Sequence, residues 1–450
     1  MQTIAALATP PLSGALGVIR ISGKKAFALT PSVFTAKNGL PPAKWKPRTL
    51  VMGSVIIDGA LLDEGMAVRM VAPYSFTGED TVELHLHGSI PTLRAVLEEL
   101  YKAGAAPAAP GEFTRRAFLH GKLSLSQAEA VADLVTAETR DAARNAAGQL
   151  AGRVGQVFSE LYDTLAGLLA RFYAAIDYPE EDVAPGELTP VLQLVLTSLD
   201  TLLATAGKGL LLREGLRCSI LGKPNVGKSS LLNAFVGHER AIVSPFPGTT
   251  RDTLEETVTV GGVKLKIIDG AGIRETRDVV EKAGVMRVRG LAEHAELLFV
   301  VLDGSAPLTR EDRAVLDLAR DRACLVLINK TDLPQKLERE QIEAAFLHVL
   351  PVSAKTGQGL DAVYSTLRRL YDAGDTLYDG SVLTNERQTD AIRRTADAVR
   401  CALRGLREGF TPDAVLAELE RALSYVGELT GRRVREEIID EIFAKFCVGK

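Results

Sequence analysis

Cysteine and histidine are scarce in this sequence of 450 residues, which has four cysteines and six histidines. The cysteines are far apart and form no C-x-x-C pair, so neither a disulfide framework nor a cysteine-based zinc site is indicated. They are Cys218, Cys324, Cys401 and Cys447. His85 and His87 share one face of an alternating segment, but no further ligand stands at metal-binding spacing, and we expect no metal there. This use of cysteine favours a reducing cytoplasm.

Long apolar runs and an excess of positive charge are also missing. No stretch reaches the roughly 18 consecutive apolar residues of a membrane span, and the first residues lack the basic region of a signal peptide. The sequence therefore predicts no membrane span. Because the net charge is −4, a nucleic-acid partner would need a local basic patch. Arg432, Arg433 and Arg435 form one such cluster, for which a solvated helix start is the alternative interpretation.

Hydrophobic periodicity changes along the chain, whose length suggests two to four domains. Residues 1–120 mix short strands with helix, and the alternation of Val82, Leu84 and Leu86 directs Glu83 to the opposite face. Residues 122–176 and 384–445 follow helical spacing, whereas residues 216–370 alternate strand and helix. The pattern predicts a multidomain α/β + α protein with an N-terminal α+β domain and a helical domain that an α/β domain interrupts.

Three local features follow from turn and helix signals. Asp58-Gly59 predicts a hairpin turn after the strand Val51 to Ile57. Helices are predicted over Pro91–Lys102 and over Leu188–Leu203.

A glycine-rich loop joins an apolar strand to a helical segment. The strand pattern Leu216 to Leu221 runs into GKPNVGKS, which ends at Ser229. This is G-x-x-x-x-G-K-S in its required context, and a chance glycine-rich turn is the weaker alternative. Lys228 is expected to reach the β- and γ-phosphates and the Ser229 hydroxyl to bind Mg²⁺. Nucleotide contacts are expected at Asn225, Val226, Gly227, Lys228, Ser229 and Ser230.

A second motif indicates guanine. The apolar run Leu325 to Ile328 ends in Asn329-Lys330-Thr331-Asp332, the N-K-x-D pattern of GTPases. The Asp332 carboxylate can accept hydrogen bonds from both guanine N1–H and N2–H. Ser353-Ala354-Lys355 resembles the S-A-K loop over the base. Alone, this motif could be a surface loop, but its position downstream of the phosphate loop favours GTP.

The segments between these motifs carry two switch patterns. Switch I is assigned to Gly248–Asp252, with Thr250 as second Mg²⁺ ligand. Switch II is assigned to Asp269-Gly270-Ala271-Gly272, with Asp269 holding Mg²⁺ through water and the Gly272 N–H at the γ-phosphate. Ile273 stands where Ras has a water-orienting glutamine. Catalysis therefore needs a polar group from elsewhere, and the nearest candidates are Arg274, Glu275 and Glu281.

Several long segments resemble one known family over essentially the whole chain. They are ATPP…GVIRISG near the N-terminus, SFTGEDTVELHLHG, PGEFTRRAFLHGKLSLSQAEA, LLREG, the nucleotide motifs and the terminal FCVGK. On these residues the chain resembles the MnmE (TrmE) family of tRNA-modification GTPases, within the TrmE-Era-EngA-like superfamily.

The resemblance implies an architecture and a reaction. It implies an N-terminal tetrahydrofolate-binding and dimerisation domain at 1–119, a helical domain from 120–213 and 376–450, and an inserted Ras-like P-loop GTPase domain at 214–375 with a parallel-type sheet and flanking helices. Its members act as homodimers with a FAD-dependent partner, MnmG, and a heterotetramer is expected. Together they install an aminomethyl or carboxymethylaminomethyl group on C5 of the wobble uridine of certain tRNAs. The one-carbon unit comes from 5,10-methylene- or 5-formyl-tetrahydrofolate.

The resemblance also implies residue roles. A K⁺ ion would bind the Asn225 side chain and the carbonyls of Ser244, Phe246 and Thr249. The surrounding loop would contact the nucleotide through Ser244, Pro245, Phe246, Pro247, Gly248 and Thr249. Glu281 would position the attacking water, which makes Glu281, Lys228 and Thr250 the catalytic set. Folate would contact Arg20, Glu83, Lys122 and Lys450.

Alternatives remain at two levels. The C-terminal tail could bring Cys447 to the folate site, or this thiol could be idle or buried. For the whole chain, the alternative is an Era-like GTPase switch in ribosome assembly without modification activity. Such a switch should carry an RNA-binding module or a second GTPase domain after Lys355, and the sequence shows neither. A folate-binding scaffold that keeps a nucleotide for stability is disfavoured by the magnesium and switch motifs.

Overall fold

The computed structural model describes residues 1–177, 188–238, 255–268, 290, 292–371, 378–432, 442–444 and 446–449. Two compact units result. The first comprises Met1–Ala132, Gln149–Val195 and Asp397–Lys450, and the second comprises Asp133–Gly148 and Leu196–Ala396. Each unit is therefore discontinuous in sequence, while the finer division at residues 119, 213 and 375 stays a prediction.

Helices are present in both units. In chain order, those described are α1 Ala26–Leu29, α2 Ile90–Lys102, α3 Glu112–Leu119, α4 Leu125–Thr136, α5 Arg140–Leu150, α6 Arg153–Asp177, α7 Leu188–Glu214, α8 Lys228–His238, α9 Arg310–Ala319, α10 Glu340–Glu343, α11 Leu360–Tyr371, α12 Glu386–Glu408 and α13 Pro412–Thr430. The predicted helical character of the central and C-terminal segments is confirmed where they are described.

The first unit contains a sheet of seven strands in the order β3-β4-β5-β6-β2-β1-β7. The strands are β1 Ile4–Leu7, β2 Gly14–Ser22, β3 Phe34–Ala36, β4 Val51–Ile57, β5 Ala60–Met70, β6 Thr81–Gly88 and β7 Ala106–Pro107. All pairs are antiparallel except β1 with β7. The predicted alternation in β6 is confirmed, because Val82, Leu84 and Leu86 are buried while Glu83 faces the other side.

The local predictions hold with one correction. Asp58 and Gly59 both have positive φ, as a tight hairpin turn between β4 and β5 requires. Helix α2 begins one residue before the predicted Pro91. The helix predicted over Leu188–Leu203 is longer than expected. Its predicted end is wrong, since α7 continues to Glu214 and ends before Gly215, whose φ is +83°. Glycine in that left-handed conformation is a usual helix stop.

The C-terminal residues return to the central helices. Ile442, Phe443 and Phe446 form one apolar cluster with Leu125 and Ala128 of α4. The ring centroids of Phe443 and Phe446 are 5.2 Å apart, an ordinary aromatic packing distance. Sequence segments separated by the α/β block thus share a core within the first unit.

The second unit contains a six-stranded sheet in the order β13-β12-β11-β8-β10-β9. Its strands are β8 Leu216–Leu221, β9 Glu255–Val260, β10 Val263–Ile268, β11 Leu297–Asp303, β12 Cys324–Asn329 and β13 Val349–Pro351. All pairs are parallel except β9 with β10. The carboxyl ends of the five parallel strands therefore meet at one edge, where ligands bind in open α/β sheets. The predicted fold class is confirmed in this mixed sheet with flanking helices.

One described helix has the length and composition of a membrane span. An 18-residue window within α7 has a mean hydropathy of 1.4, and 28% of that window is buried. A single helix of this kind is weak evidence for a span, because core helices of soluble proteins meet the same criteria.

Candidate nucleotide-binding site

The loop after β8 has a backbone that its sequence requires. Gly222 has φ +154°, and a Cβ there would lie 2.5 Å from the Val301 carbonyl oxygen. Asn225 has φ +65°, which asparagine tolerates better than most residues. Gly227 has φ +100°, and a Cβ there would lie 2.3 Å from Nδ2 of Asn329. Gly222 thus lets the Val301 backbone approach this loop closely, and Gly227 does the same for the Asn329 side chain.

Lys228 begins α8 and folds back over the loop. Its Nζ donates hydrogen bonds to the carbonyl oxygens of Gly222, at 2.7 Å, and Lys223, at 2.9 Å. Burial lowers the pKa of Lys228 below 10.5. Ser229 and Ser230 follow in the first turn of α8, and the N-terminus of a helix favours an anion. A partly buried ammonium at a helix N-terminus suits phosphate.

Asn329, at the end of β12, connects two of the predicted loops. Its Nδ2 donates to the Val226 carbonyl oxygen at 2.7 Å, and its Oδ1 accepts from the Ala354 N–H at 2.9 Å. The residue is buried. One amide side chain therefore holds the phosphate loop and the Ser353-Ala354-Lys355 loop at fixed positions.

The Asp332 carboxylate is oriented by a hydrogen bond from a neighbouring loop. The Ser353 hydroxyl donates to its Oδ1 at 2.7 Å. This hydrogen bond, together with the charges of Lys355 and Lys330, lowers the pKa of Asp332 below 3.8 despite some desolvation. An ionised carboxylate can accept the two N–H groups of guanine. The structure thus brings the predicted base-binding residues together.

Several predicted residues lie outside the described part of the chain. They are Ser244, Pro245, Phe246, Pro247, Gly248, Thr249, Thr250, Asp269, Gly270, Ala271, Gly272, Ile273, Arg274, Glu275, Glu281, Arg433, Arg435 and Lys450. Their roles remain predictions.

The sequence did not single out Lys223 and Asp312, which support the phosphate loop. Lys223 Nζ lies 2.7 Å from Asp312 Oδ2, and the same oxygen accepts hydrogen bonds from the Thr309 N–H and hydroxyl. Burial raises the pKa of Asp312, but these hydrogen bonds outweigh it and hold the pKa below 3.8. Thr309 and Asp312 form the capping box of α9. A T-x-x-D signal at the start of an amphipathic helix was therefore available in the sequence.

A second candidate site lies on the first sheet. Arg20 of β2 stands opposite Glu83 of β6, with Nε and Oε1 2.8 Å apart. The Arg20 guanidinium also lies 5.8 Å from the Phe76 ring centroid and 5.5 Å from that of Phe113. The structure brings these two predicted folate contacts together, whereas the third, Lys122, donates to the Pro73 carbonyl oxygen at 3.1 Å. An oriented cation and carboxylate can serve a ligand with both donors and anionic groups.

The C-terminal tail approaches this sheet. The Gly111 N–H donates to the Cys447 carbonyl oxygen at 3.3 Å. Gly449 has φ +99°, and a Cβ there would lie 2.2 Å from the Leu7 carbonyl oxygen. Cys447 is exposed. The tail is thus seated at the end of β1, the strand that pairs with β2.

Two family models match the chain. The model described as GTP-binding protein TrmE N-terminus matches residues 3–122, and the MnmE helical domain model matches residues 125–447. Curated relatives named tRNA modification GTPase MnmE include proteins of Roseiflexus sp. (strain RS-1) and Heliobacterium modesticaldum. Each is 42% identical over 100% of this chain and 99% of the relative. The Listeria innocua relative is 40% identical over the same shares.

Among solved structures, the chain matches the FeoB G domain of Methanococcus jannaschii at 24% identity over 35% of this chain and 98% of that one, but the TM-score of 0.26 is too low to describe a shared fold. Family membership depends instead on the sequence matches, which span nearly every residue. The chain belongs to the MnmE (TrmE) family of tRNA-modification GTPases.

Proposed function

We propose that this protein hydrolyses GTP with Mg²⁺ and takes part in modifying C5 of the wobble uridine of certain tRNAs. The observation that carries the nucleotide assignment is the pair of hydrogen bonds made by Asn329, which joins the phosphate loop to the Ser353-Ala354-Lys355 loop. The tRNA assignment is supported by full-length relatives named tRNA modification GTPase.

The described residues suit a bound guanine nucleotide. Lys228 exchanges its two carbonyl partners for phosphate oxygens, and the Ser229 hydroxyl holds Mg²⁺, with Thr250 as the proposed second ligand. Asp332, oriented by Ser353, accepts from the base. Glu281 positions the attacking water, because the aliphatic Ile273 cannot hydrogen-bond to it.

A monovalent cation is proposed beside the phosphates. Asn225 offers a side-chain oxygen in the phosphate loop, and the carbonyls of Ser244, Phe246 and Thr249 complete the proposed K⁺ site. When bound, K⁺ supplies positive charge to the transition state, as an arginine finger does.

Folate is proposed to bind on the first sheet. Glu83 would pair with the pterin donors, and Arg20, Lys122 and Lys450 with anionic groups. The Arg20–Glu83 contact at 2.8 Å supports the location, since the two side chains already share one face. The ligand would be 5,10-methylene- or 5-formyl-tetrahydrofolate, and the docked tail would keep Cys447 near it.

The partners follow from the same proposal. A homodimer forms through the N-terminal domain at residues 1–119, and a MnmG-like FAD-dependent protein joins it in a heterotetramer that acts on tRNA in the cytoplasm. In sequence, the two segments of the helical domain, 120–213 and 376–450, flank the inserted GTPase domain at 214–375. The apolar cluster of Leu125 with Phe443 and Phe446 supports a helical domain built from both segments.

Nucleoside mass spectrometry of bulk tRNA tests the proposal. A bacterial host that lacks its own MnmE-family gene, but contains MnmG, receives the wild-type gene, the Lys228→Ala variant or an empty vector. We expect C5-modified wobble uridine with the wild-type gene alone, because Lys228 is needed for the phosphates. Western blots establish that both proteins are expressed.

The alternative function has its own outcome. If the purified protein hydrolyses GTP but the modified uridine stays absent, even with its own species' MnmG supplied, the tRNA assignment fails. The Era-like switch without modification activity then becomes the better description.

A further inference from the structure

A carboxylate at the end of β11 holds the lysine of the N-K-x-D motif. Oδ2 of Asp303 lies 2.6 Å from Nζ of Lys330. The side chain of Asp303 is 13% exposed and that of Lys330 is 29% exposed, so water screens the pair only in part. None of the motifs found in the sequence includes Asp303.

Asp303 is itself fixed on its other side. Its Oδ1 accepts hydrogen bonds from the Ser305 N–H at 2.9 Å and the Ser305 hydroxyl at 2.6 Å. Burial raises the pKa of Asp303, but the hydrogen bonds from Lys330 and Ser305 outweigh it and keep the pKa below 3.8. The carboxylate is therefore ionised at neutral pH and has a defined orientation.

Backbone pairing places this carboxylate next to the N-K-x-D motif. Asp303 and Asn329 are register partners in the β11–β12 ladder, and the Gly304 N–H donates to the Asn329 carbonyl oxygen at 2.9 Å. Lys330 has φ +65°, an uncommon conformation for a residue with a side chain. The backbone conformation and the ion pair together fix where the four methylene groups of Lys330 lie.

We propose that Asp303 is a positioning residue for nucleotide binding: by holding the Lys330 ammonium, it fixes the lysine stem as an apolar surface for the purine ring. Methylene stems of lysine commonly cover apolar surfaces while the charge is bound elsewhere. Asp303 acts through Lys330 and touches no part of the nucleotide. This inference depends on the proposed function, because it deepens the description of the same site.

A double-mutant cycle on the full-length protein tests the coupling. GDP affinity is measured by titration calorimetry for the wild type, Asp303→Asn, Lys330→Met and the double variant. Methionine keeps an apolar stem but removes the charge. We expect Asp303→Asn to weaken GDP binding about tenfold, the lower range for a hydrogen bond to a charged group. In the Lys330→Met background, the same change should have almost no effect.

Asp312→Asn is the matched control, because Asp312 is also a largely buried carboxylate after β11 but pairs with Lys223 instead. In the variant that combines Asp312→Asn with Lys330→Met, the fold-change in GDP affinity should equal the product of the two single fold-changes. Ser305→Ala is a milder second variant if Asp303→Asn does not fold, and its effect should also disappear in the Lys330→Met background. Thermal melting establishes that each variant is folded.

The outcomes separate the two proposals. If the effects of Asp303→Asn and Lys330→Met multiply, Asp303 has only a structural role and the inference is overturned. If the folded wild type binds no GDP, the proposed function itself fails and the inference fails with it.

Discussion

A single buried amide determines how the candidate nucleotide site is assembled. Asn329 uses its donor on the phosphate loop and its acceptor on the loop that contains Ala354. The two contacts use different atoms, so chemical changes to the side chain can remove one and keep the other. The site therefore offers a test at the level of individual atoms.

We predict that Asn329→Asp and Asn329→Ala both weaken GDP binding, by about tenfold or more, for different reasons. Aspartate keeps the acceptor for the Ala354 N–H but repels the Val226 carbonyl oxygen, whereas alanine removes both contacts. Titration calorimetry gives the affinities and circular dichroism the folded fraction. Affinity equal to wild type in both folded variants would show that Asn329 does not join the loops functionally.

The protonation of Lys228 predicts a pH dependence. Its pKa is lowered by burial in the free protein, and a bound phosphate favours the charged form. At pH values between the lowered pKa and 10.5, Lys228 binds fewer protons in the folded free protein than in the unfolded chain. The contribution of Lys228 to the free energy of unfolding therefore increases as pH rises through that window.

In the same alkaline window, nucleotide binding must take up a proton. We therefore expect GDP affinity to fall as pH approaches 10.5. Titration calorimetry in two buffers of different ionisation enthalpy measures the number of protons taken up on binding. At neutral pH, Lys228 should contribute no uptake. A pH-independent affinity across the alkaline range would contradict the coupling.

At the scale of elements, local motifs could be predicted and distant contacts could not. The phosphate loop, the β6 alternation and the N-K-x-D motif follow from neighbouring residues. The structure has the two motifs at the carboxyl ends of β8 and β12 and the alternation along β6. The ion pair of Lys223 with Asp312 joins residues 89 positions apart. Such a contact depends on strand order, which a single sequence does not specify. The predicted end of α7 at Leu203 is wrong because the helix continues through Gly207 and Gly209 to Glu214.

Those two glycines differ in their surroundings. A Cβ on Gly209 would lie 1.8 Å from the Leu383 carbonyl oxygen, whereas a Cβ on Gly207 would meet nothing within 4 Å. We predict that Gly209→Ala destabilises the protein by about 1–3 kcal/mol through overpacking. Gly207→Ala is the matched control on the same helix and should stabilise by about 0.5–1 kcal/mol. Thermal melting compares them, and equal melting temperatures would contradict this packing.

At the scale of the whole molecule, GTP turnover tests the proposed cation site. Phosphate release by the full-length protein should be faster in KCl than in NaCl at equal ionic strength, because the smaller Na⁺ fits a K⁺ site poorly. Asn225→Gly removes the side-chain oxygen without strain at φ +65° and should abolish the difference. Equal wild-type rates in the two salts would remove the K⁺ assignment.

The discontinuous units also determine when each part of the protein can fold during synthesis. Every residue of the second unit has been added before Asp397, whereas the first unit needs both ends of the chain. Domains generally fold as units while the chain is being made. The candidate nucleotide site can therefore form on the ribosome while α6 still waits for α13, and α4 for the terminal aromatic residues. A nascent chain thus becomes able to bind its nucleotide before it can complete its first unit.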